Sequence, residues 1–530
     1  MKNTRRIFTL LLLAALLLCC LQGVSAENAV APLTTAANPN STRDPYETLT
    51  GKSATEIVSM MGLGFNIGNT FDSTGGDLKT HETKWGNPVV TQALIDTIYD
   101  NGFDTVRIPI TWMDFISKDG TYTVDPAYLA RVKEVVDYCY NDGLFVIINA
   151  HHESWINIPT LDQDYKKVGE ELQALWTQIA TYFADYDQHL IFEGMNEPRM
   201  AGTSIEWTGN SDAYYAINYL NQVFANTIRS NGLGHNDERC LMVTGYAAQS
   251  SSNIMKSITL PTYKGKTVNN LIISLHSYTP YEFCLTDKKK TFSLTSSSDI
   301  GNVKAVFRDI HDAFLRYGIP VIMGETGATN SGNNKDARVN WAYYTSKMAT
   351  YYGIPIILWD NGAGGSSGGE CHQYINRKAN NSITFPEFFE ALHRGQEEAT
   401  RGGYVNLIDS PFPVNAATDG RAAFTSLKPY KTSLTPAALP VIEPRDTRPT
   451  PTPSPTPTPT ETPTVTPTAA PTEAAPTESA VTVTPTPGAS TDGESSTNML
   501  AVIGAILGLI GCAFIVGFGF YLIFRGFKKR

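Results

Sequence analysis

Eight short apolar runs recur along this chain, most of them separated by a stretch with helical periodicity. They are Gly62–Ile67, Thr105–Ile110, Leu144–Ala150, Leu190–Met195, Cys240–Thr244, Asn270–Leu275, Pro320–Gly324 and Pro355–Trp359. Runs this continuous read as strands buried on both faces, as a parallel sheet requires. Thr91–Tyr99, Pro126–Tyr140 and Val303–Arg316 are amphipathic on the helical period. Asn101-Gly102, Asp142-Gly143 and Tyr317-Gly318 are helix stops placed just before the next strand. Eight strand–helix units in about 350 residues predict an α/β fold, a (β/α)8 barrel with loop insertions over residues 49–400. A doubly wound sheet is the competing topology, but nothing here resembles its glycine-rich phosphate turn.

Such a barrel carries its chemistry at the carboxyl ends of its strands. Two glutamates stand there, 128 residues apart: Glu197 in Leu190-Ile-Phe-Glu-Gly-Met-Asn-Glu-Pro198 and Glu325 in Pro320-Val-Ile-Met-Gly-Glu-Thr-Gly327. An ionised carboxylate beside a buried strand must be paired or put to use. Two over one cleft match retaining glycoside hydrolysis, which needs an acid/base and a nucleophile roughly 5 Å apart. Other strand ends carry Arg107 with Trp112, Asn149-Ala-His151-His152-Glu153, Asn196, His276-Ser-Tyr278 and Trp359-Asp360-Asn361. One such residue after a strand is ordinarily structural; enrichment after six of eight strands is not easily chance. The pair His151-His152 hints at a metal, but neighbours on a strand point to opposite sides and chelate poorly. No metal and no cofactor is expected.

With these motifs in order, the chain resembles glycoside hydrolase family 5, the (β/α)8 retaining glycosidases. The likeness covers about Met61–Gln396. It rests on Gly64-Phe-Asn-Ile-Gly-Asn69, Thr105-Val-Arg-Ile-Pro109, Asn149-Ala-His-His-Glu153, Asn196-Glu197-Pro198, His276-Ser-Tyr278, Gly324-Glu325 and Trp359-Asp-Asn361. Trp85-Gly-Asn-Pro88 and Met195-Asn-Glu-Pro-Arg199 look most like the bacterial endoglucanase and xyloglucanase branch, subfamily 4. The resemblance implies endo-acting cleavage of β-1,4-glucans. It makes Glu325 the nucleophile, supported by Arg107 and Tyr278, and Glu197 the acid/base, tuned by His276. The pKa of Glu197 is expected to be raised in the free enzyme by the nearby carboxylate. Asn196 would bond the sugar 2-hydroxyl, and His151 would hold the −1 sugar and Arg107, with His152 as the other candidate. Trp359 would stack on the −1 ring, its peptide link strained or cis as in relatives. Asn66 and Asn361 are expected along the cleft floor, and Trp112, Trp155 and Trp207 are candidates for outer subsites. A β-mannanase of the same family, a non-catalytic glycan receptor and an adhesion spacer are the alternatives. Intact Glu197, Glu325, Arg107 and His276 speak against a dead barrel.

The two ends of the chain suggest where it works. Met1–Ala26 has Lys2, Arg5 and Arg6, an apolar core and Val24-Ser25-Ala26, the pattern of a secretory signal peptide. Residues 27–48 form a polar leader. Residues 401–443 read as a polar extension of uncertain order, and 444–497 as a Pro/Thr-rich linker that stays extended. Residues 498–524 hold the charge-free run Met499–Phe524, long enough to span a bilayer as one helix. The basic tail 525–530 then marks the cytoplasmic side. These expectations place a monomeric catalytic domain at the cell surface. The formal charge is −10 overall, and taking away the leader's three cations leaves −13. That disfavours nucleic acid as a partner and suits a neutral polysaccharide. Outside the leader and the apolar run the cysteines are Cys139, Cys240, Cys284 and Cys371, in no metal-binding spacing. Cys139 and Cys240 read as buried thiols; Cys284 and Cys371 remain available for a disulfide.

Overall fold

All eight apolar runs become strands, and they pair in chain order. The computed structural model describes residues 47–402, 412, 424 and 426–442. The strands are β1 Leu63–Ile67, β2 Thr105–Ile108, β3 Phe145–Asn149, β4 Leu190–Glu193, β5 Leu241–Gln249, β6 Leu271–His276, β7 Val321–Thr326 and β8 Ile356–Asp360. Each is parallel to the next, and β8 closes on β1. This is the (β/α)8 barrel expected. The signal peptide, the linker, the membrane span and the tail lie outside the described residues. Among the described residues no helix is long and apolar enough to cross a membrane.

Local sequence explains the helices that wrap the barrel. Pro126–Asn141 starts on Asp125, whose carboxylate accepts from the Ala127 N–H at 2.8 Å, with Pro126 in the first turn. It ends before Gly143, whose φ of 66° suits a residue without a Cβ. Its buried face is Leu129, Val132, Val136 and Cys139, on the three-to-four spacing of one helical stripe.

Alternation along the strands builds two separate cores. Outward residues such as Val106, Val146, Ile148, Phe192 and Met323 pack beneath the helices. Inward residues Phe145, Ile147, Ile191, Met242, Ile272, Ile322 and Ile357 form their own cluster. Leu49 and the helix Ala54–Met60 join that inner cluster through Ile57 and Val58, so they close its amino-terminal end. A capping box fixes the start of this helix: Ser53 N–H donates to Glu56 Oε2 at 2.8 Å, and Glu56 N–H to Ser53 Oγ at 3.3 Å.

The extension differs from its sequence reading. Residues 426–442 have no helix or strand, yet they are tied to the barrel. Ala437 N–H donates to Tyr182 O at 2.9 Å, and Tyr430 Oη–H to Thr121 O at 2.6 Å. Phe412, Phe424, Leu427 and Leu434 are half-buried against the outer core. Single apolar anchors in a polar stretch carry no periodicity, so composition alone puts the boundary too early. The four cysteines are buried and free, and Cys284 and Cys371 are not bonded to each other.

Candidate active site

Above the apolar inner layer the inward positions turn polar. Asn66 of β1, Arg107 of β2, Asn149 of β3, Glu193 of β4 and Ser274 of β6 are all fully buried. Arg107 organises them. Its Nε donates to Glu193 Oε2 at 2.8 Å, and its Nη1 to Asn66 Oδ1 and Glu325 Oε1, both at 2.9 Å. Its Nη2 donates to Asn196 Oδ1 at 2.8 Å. Burial alone would lower the guanidinium pKa, but the carboxylates of Glu193 and Glu325 outweigh it and hold it above its ordinary value. Glu193 also accepts from Asn149 Nδ2 at 3.0 Å and Ser274 Oγ at 2.5 Å.

Glu325 reaches the cleft through a bulge. Leu275 pairs with Met323, but His276 pairs with Glu325, so β7 has one residue more than β6 at that point. Strict alternation would turn Glu325 outward after inward Ile322 and Gly324; the extra residue turns it in. Its Oε2 accepts from Tyr278 Oη–H at 3.1 Å. Burial first, then the two glutamates, raise the Tyr278 phenol well above its ordinary range, so it stays protonated as a donor. Glu197 lies four residues past the end of β4, and its Oε1 is 2.8 Å from His276 Nδ1. The same nitrogen is 3.7 Å from Glu325 Oε2. One carboxylate oxygen of Glu197, one of Glu325 and a His276 nitrogen all lie within 4.8 Å of one another.

The proton in this triad sits differently from the expectation. Burial pushes Glu197 up, but the His276 hydrogen bond, the His276 charge and the Arg199 charge outweigh it, and its pKa is lowered rather than raised. Burial pushes the His276 imidazole down; Glu325 and Glu197 outweigh that, and its pKa is raised. In the free protein the shared proton therefore belongs to the imidazole end of a Glu197–His276 pair.

The wall opposite is aromatic. His151 is buried, and its ring lies parallel to Trp359 within 3° at a centroid distance of 6.0 Å. Burial, followed by the charges of His152 and Arg107, lowers the His151 pKa well below its ordinary value, so it is neutral. His152 is half-buried and turns toward Trp85, at a ring distance of 5.5 Å. Thus His151 faces the site. Both histidines lie past the end of β3, where the pleat no longer separates neighbours. As a result they and Asp72 present ligand-type atoms within 4.8 Å of one another, contrary to the strand argument. The Asp72 oxygens already accept from Asn69 N–H at 3.0 Å and Thr70 N–H at 2.7 Å. The Trp359 link is trans; among the described residues the cis bond is Thr279–Pro280.

Gly68 is what lets the Trp359 ring lie there. A Cβ at this position would come within 2.7 Å of the indole. Gly68→Ala should push the ring across the site and lower kcat/KM on the order of 10²-fold while the thermal midpoint moves little. Unchanged kcat/KM would show that the ring position does not matter.

Other expected residues play supporting roles. Asn66 donates from Nδ2 to Gly324 O at 2.9 Å and props Arg107 from below. Asn361 is buried, and both ends of its amide hold its own loop. Nδ2 donates to Glu370 O at 2.7 Å, and Oδ1 accepts from Ala363 N–H at 3.0 Å. Trp112 is fully buried and packs in the core. Trp155 is half-buried and donates to Glu153 Oε2 at 2.7 Å; burial raises that carboxyl to about 8. Trp207 is exposed.

Sequence reasoning did not single out Glu193, Ser274, Arg199 or Glu370. Glu193 was findable, since it shares inward parity with Ile191. Glu370 lies in a glycine-rich loop after β8, and burial plus the charges of Glu325 and Glu197 raise its pKa, so it is near enough to feel both. No local pattern signals that.

A (β/α)8 barrel whose strand ends bring two carboxyls this close, one on Arg107 and Tyr278 and the other on His276, is built as a glycoside hydrolase. The comparisons agree. The family model of cellulase (glycosyl hydrolase family 5) matches residues 68–365. Endoglucanase A of Ruminococcus albus is 39% identical over 292 residues, which is 54% of this chain and 78% of that protein. Endoglucanase A of Clostridium longisporum is 40% identical over 364 residues, covering 67% of this chain and 68% of the other. A solved GH5-4 broad specificity endoglucanase from Ruminococcus champanellensis with bound cellotriose superposes with a TM-score of 0.61 at 40% identity. It covers 64% of this chain and 98% of that one. The chain belongs to glycosyl hydrolase family 5, in subfamily 4.

Proposed function

We propose that this chain is a retaining endo-β-1,4-glucanase that cuts cellulose, mixed-linkage glucan or xyloglucan by double displacement. The observation that carries this reading is the approach of the Glu197 and Glu325 oxygens within 4.8 Å. Retaining enzymes hold their carboxyls about 5–5.5 Å apart, whereas inverting enzymes leave about 6.5–9.5 Å for a water. Glu325 attacks the anomeric carbon while the glycosidic oxygen takes a proton from Glu197, to which His276 passes the shared proton across their 2.8 Å hydrogen bond, and the chain breaks into a glycosyl-enzyme and a free end. Glu197 then takes a proton from water, the water oxygen bonds to the anomeric carbon, and Glu325 is released. Esterified Glu325 is no longer an anion, so His276 loses one of its two carboxylate partners between the steps. Asn196, fixed by Arg107, keeps its amide N–H groups to bond the sugar 2-hydroxyl, a role supported by its place next to Glu197. Neutral His151 and Trp359 form the platform for the −1 sugar.

The substrate range is supported by likeness. A solved family 5 lichenase from Caldicellulosiruptor, in complex with cellotetraose, is 33% identical to this chain with a TM-score of 0.61. The cell-surface address rests on the leader, the Pro/Thr stretch and the apolar run before the basic tail. It predicts that activity sediments with membranes; activity wholly in the medium would count against it.

The direct test is a hydrolysis panel with the fragment 47–442, which keeps the packed extension. Carboxymethylcellulose, barley mixed-linkage glucan, xyloglucan and galactomannan separate the readings. A rapid fall in viscosity on a glucan is expected. Cleavage of galactomannan alone would make the enzyme a mannanase, and a folded but inactive fragment would make it a glycan receptor.

A further inference from the structure

We propose that Glu370 is a specificity residue: a carboxylate without a counter-ion, close to the catalytic pair, that favours neutral glucan chains over polyanionic ones. This rests on the glycosidase reading above and deepens it by naming the class of chain the cleft turns away.

The position of Glu370 is built rather than incidental. It follows Gly368 and Gly369 and, like them, has a positive φ, 49°. Glycine adopts that conformation freely, whereas an L side chain rarely does. Residues held there cluster at functional sites, where the side chain has a task. The loop is fixed from three sides. Glu370 N–H donates to Leu285 O at 3.2 Å and Gly368 N–H to Asp287 Oδ2 at 2.9 Å, both on the loop after β6. Cys371 N–H donates to Thr329 Oγ1 at 2.8 Å, three residues past β7. Glu370 O accepts from Asn361 Nδ2 at 2.7 Å, one residue past β8. The ring of His372, two residues on, lies 5.9 Å from that of Tyr278, the donor to Glu325.

The charge of Glu370 is unanswered. The acids at the centre of the site each have a cation. Arg107 is 2.8 Å from Glu193 and 2.9 Å from Glu325, and Glu197 has His276 at 2.8 Å and Arg199 at 3.7 Å. The Glu370 side chain is exposed, and among the described residues no cation and no hydrogen-bond donor meets its carboxylate. The charges that act on it are those of Glu325 and Glu197, both repulsive. Three lysines, 288–290, follow on the loop after β6, but Lys289 is taken by Asp299 and none of the three acts on Glu370.

A neutral glucan brings only hydroxyls to this carboxylate, and a hydroxyl can donate to it. A chain bearing carboxymethyl groups or uronic acids brings like charge against an acid that nothing offsets. Such repulsion reaches about 10 Å at 0.1 M salt and is screened at higher salt. Glu370 therefore supplies the repulsive element that discrimination between two similar polymers needs.

The test uses the full chain at about pH 7, above the usual carboxylate range. The two substrates are hydroxyethylcellulose, substituted and neutral, and carboxymethylcellulose, substituted and anionic. Glu370→Gln should raise kcat/KM on carboxymethylcellulose relative to hydroxyethylcellulose about fivefold at low salt, and about 0.5 M salt should abolish the difference from wild type. Glu370→Gly suits the backbone and removes the charge, so it should match Glu370→Gln without a fall in thermal midpoint. Glu370→Asp keeps the charge and should keep the wild-type ratio. A ratio that neither neutral variant changes, or that changes equally at both salt levels, would overturn the proposal. A wild-type chain that leaves both polymers and barley glucan intact would remove the glycosidase reading and this proposal with it, whereas wild-type activity with an unchanged ratio defeats the role of Glu370 alone.

Discussion

Glu325→Ala should leave a folded protein with kcat/KM on glucan reduced on the order of 10⁴-fold or more, since no other group can form the glycosyl-enzyme. The loss should fall equally on the glucan and on an aryl glycoside with a good leaving group, because both pass through the same covalent step. Glu197→Gln should behave differently. Proton donation contributes about 10²–10⁴-fold, and a leaving group that needs no proton escapes most of that loss. Residual activity of Glu325→Ala within tenfold of wild type would mean that Glu325 is not the nucleophile.

Arg107→Met should be the most destabilising change at the site. Arg107 is fully buried and bonded to two carboxylates, Glu193 and Glu325, at 2.8 and 2.9 Å. Breaking a buried pair by removing one partner costs about 3–5 kcal/mol, because the remaining charge has nothing to face. Denaturant midpoints at neutral pH read this loss. The sign of the pH effect is also set. Without the guanidinium the buried carboxyls take up protons on folding, so their folded pKa values rise above the unfolded value of about 4.3. Groups raised in this way disfavour the folded state above that value and stop doing so below it. The deficit of Arg107→Met should therefore shrink as pH falls toward about 4, and adding Glu193→Gln should recover part of it. A deficit that is the same at both pH values would show that the cost comes from packing rather than charge.

Much of this protein was legible one residue at a time. Eight apolar runs, three of them directly preceded by a helix stop at Gly102, Gly143 or Gly318, point to a closed parallel barrel. The placing of Glu197, His276 and Glu325 at strand ends follows from the same reading, because in a barrel those ends converge whatever the loops do. Local pattern also marked the ends of three helices, since a helix stop such as Asn101-Gly102 is decided within a few residues.

Other features needed the tertiary structure, because they depend on distant groups. The bulge that turns Glu325 inward is a mismatch between β6 and β7, and neither strand alone contains it. Which of His151 and His152 faces the sugar depended on where β3 ends and on Trp359 across the barrel. The pKa of Glu197 moved against expectation because His276 and Arg199 arrive from other parts of the fold and outweigh burial. That the Asn361 amide braces its own loop depends on Glu370 and Ala363, whose place beside it only the fold decides. The packed extension went unread because isolated anchors such as Phe424 and Leu434 acquire meaning only against the helices they cover. Sequence determines what is periodic or adjacent in the chain; the charge balance of a buried site is a sum over groups that only folding brings together.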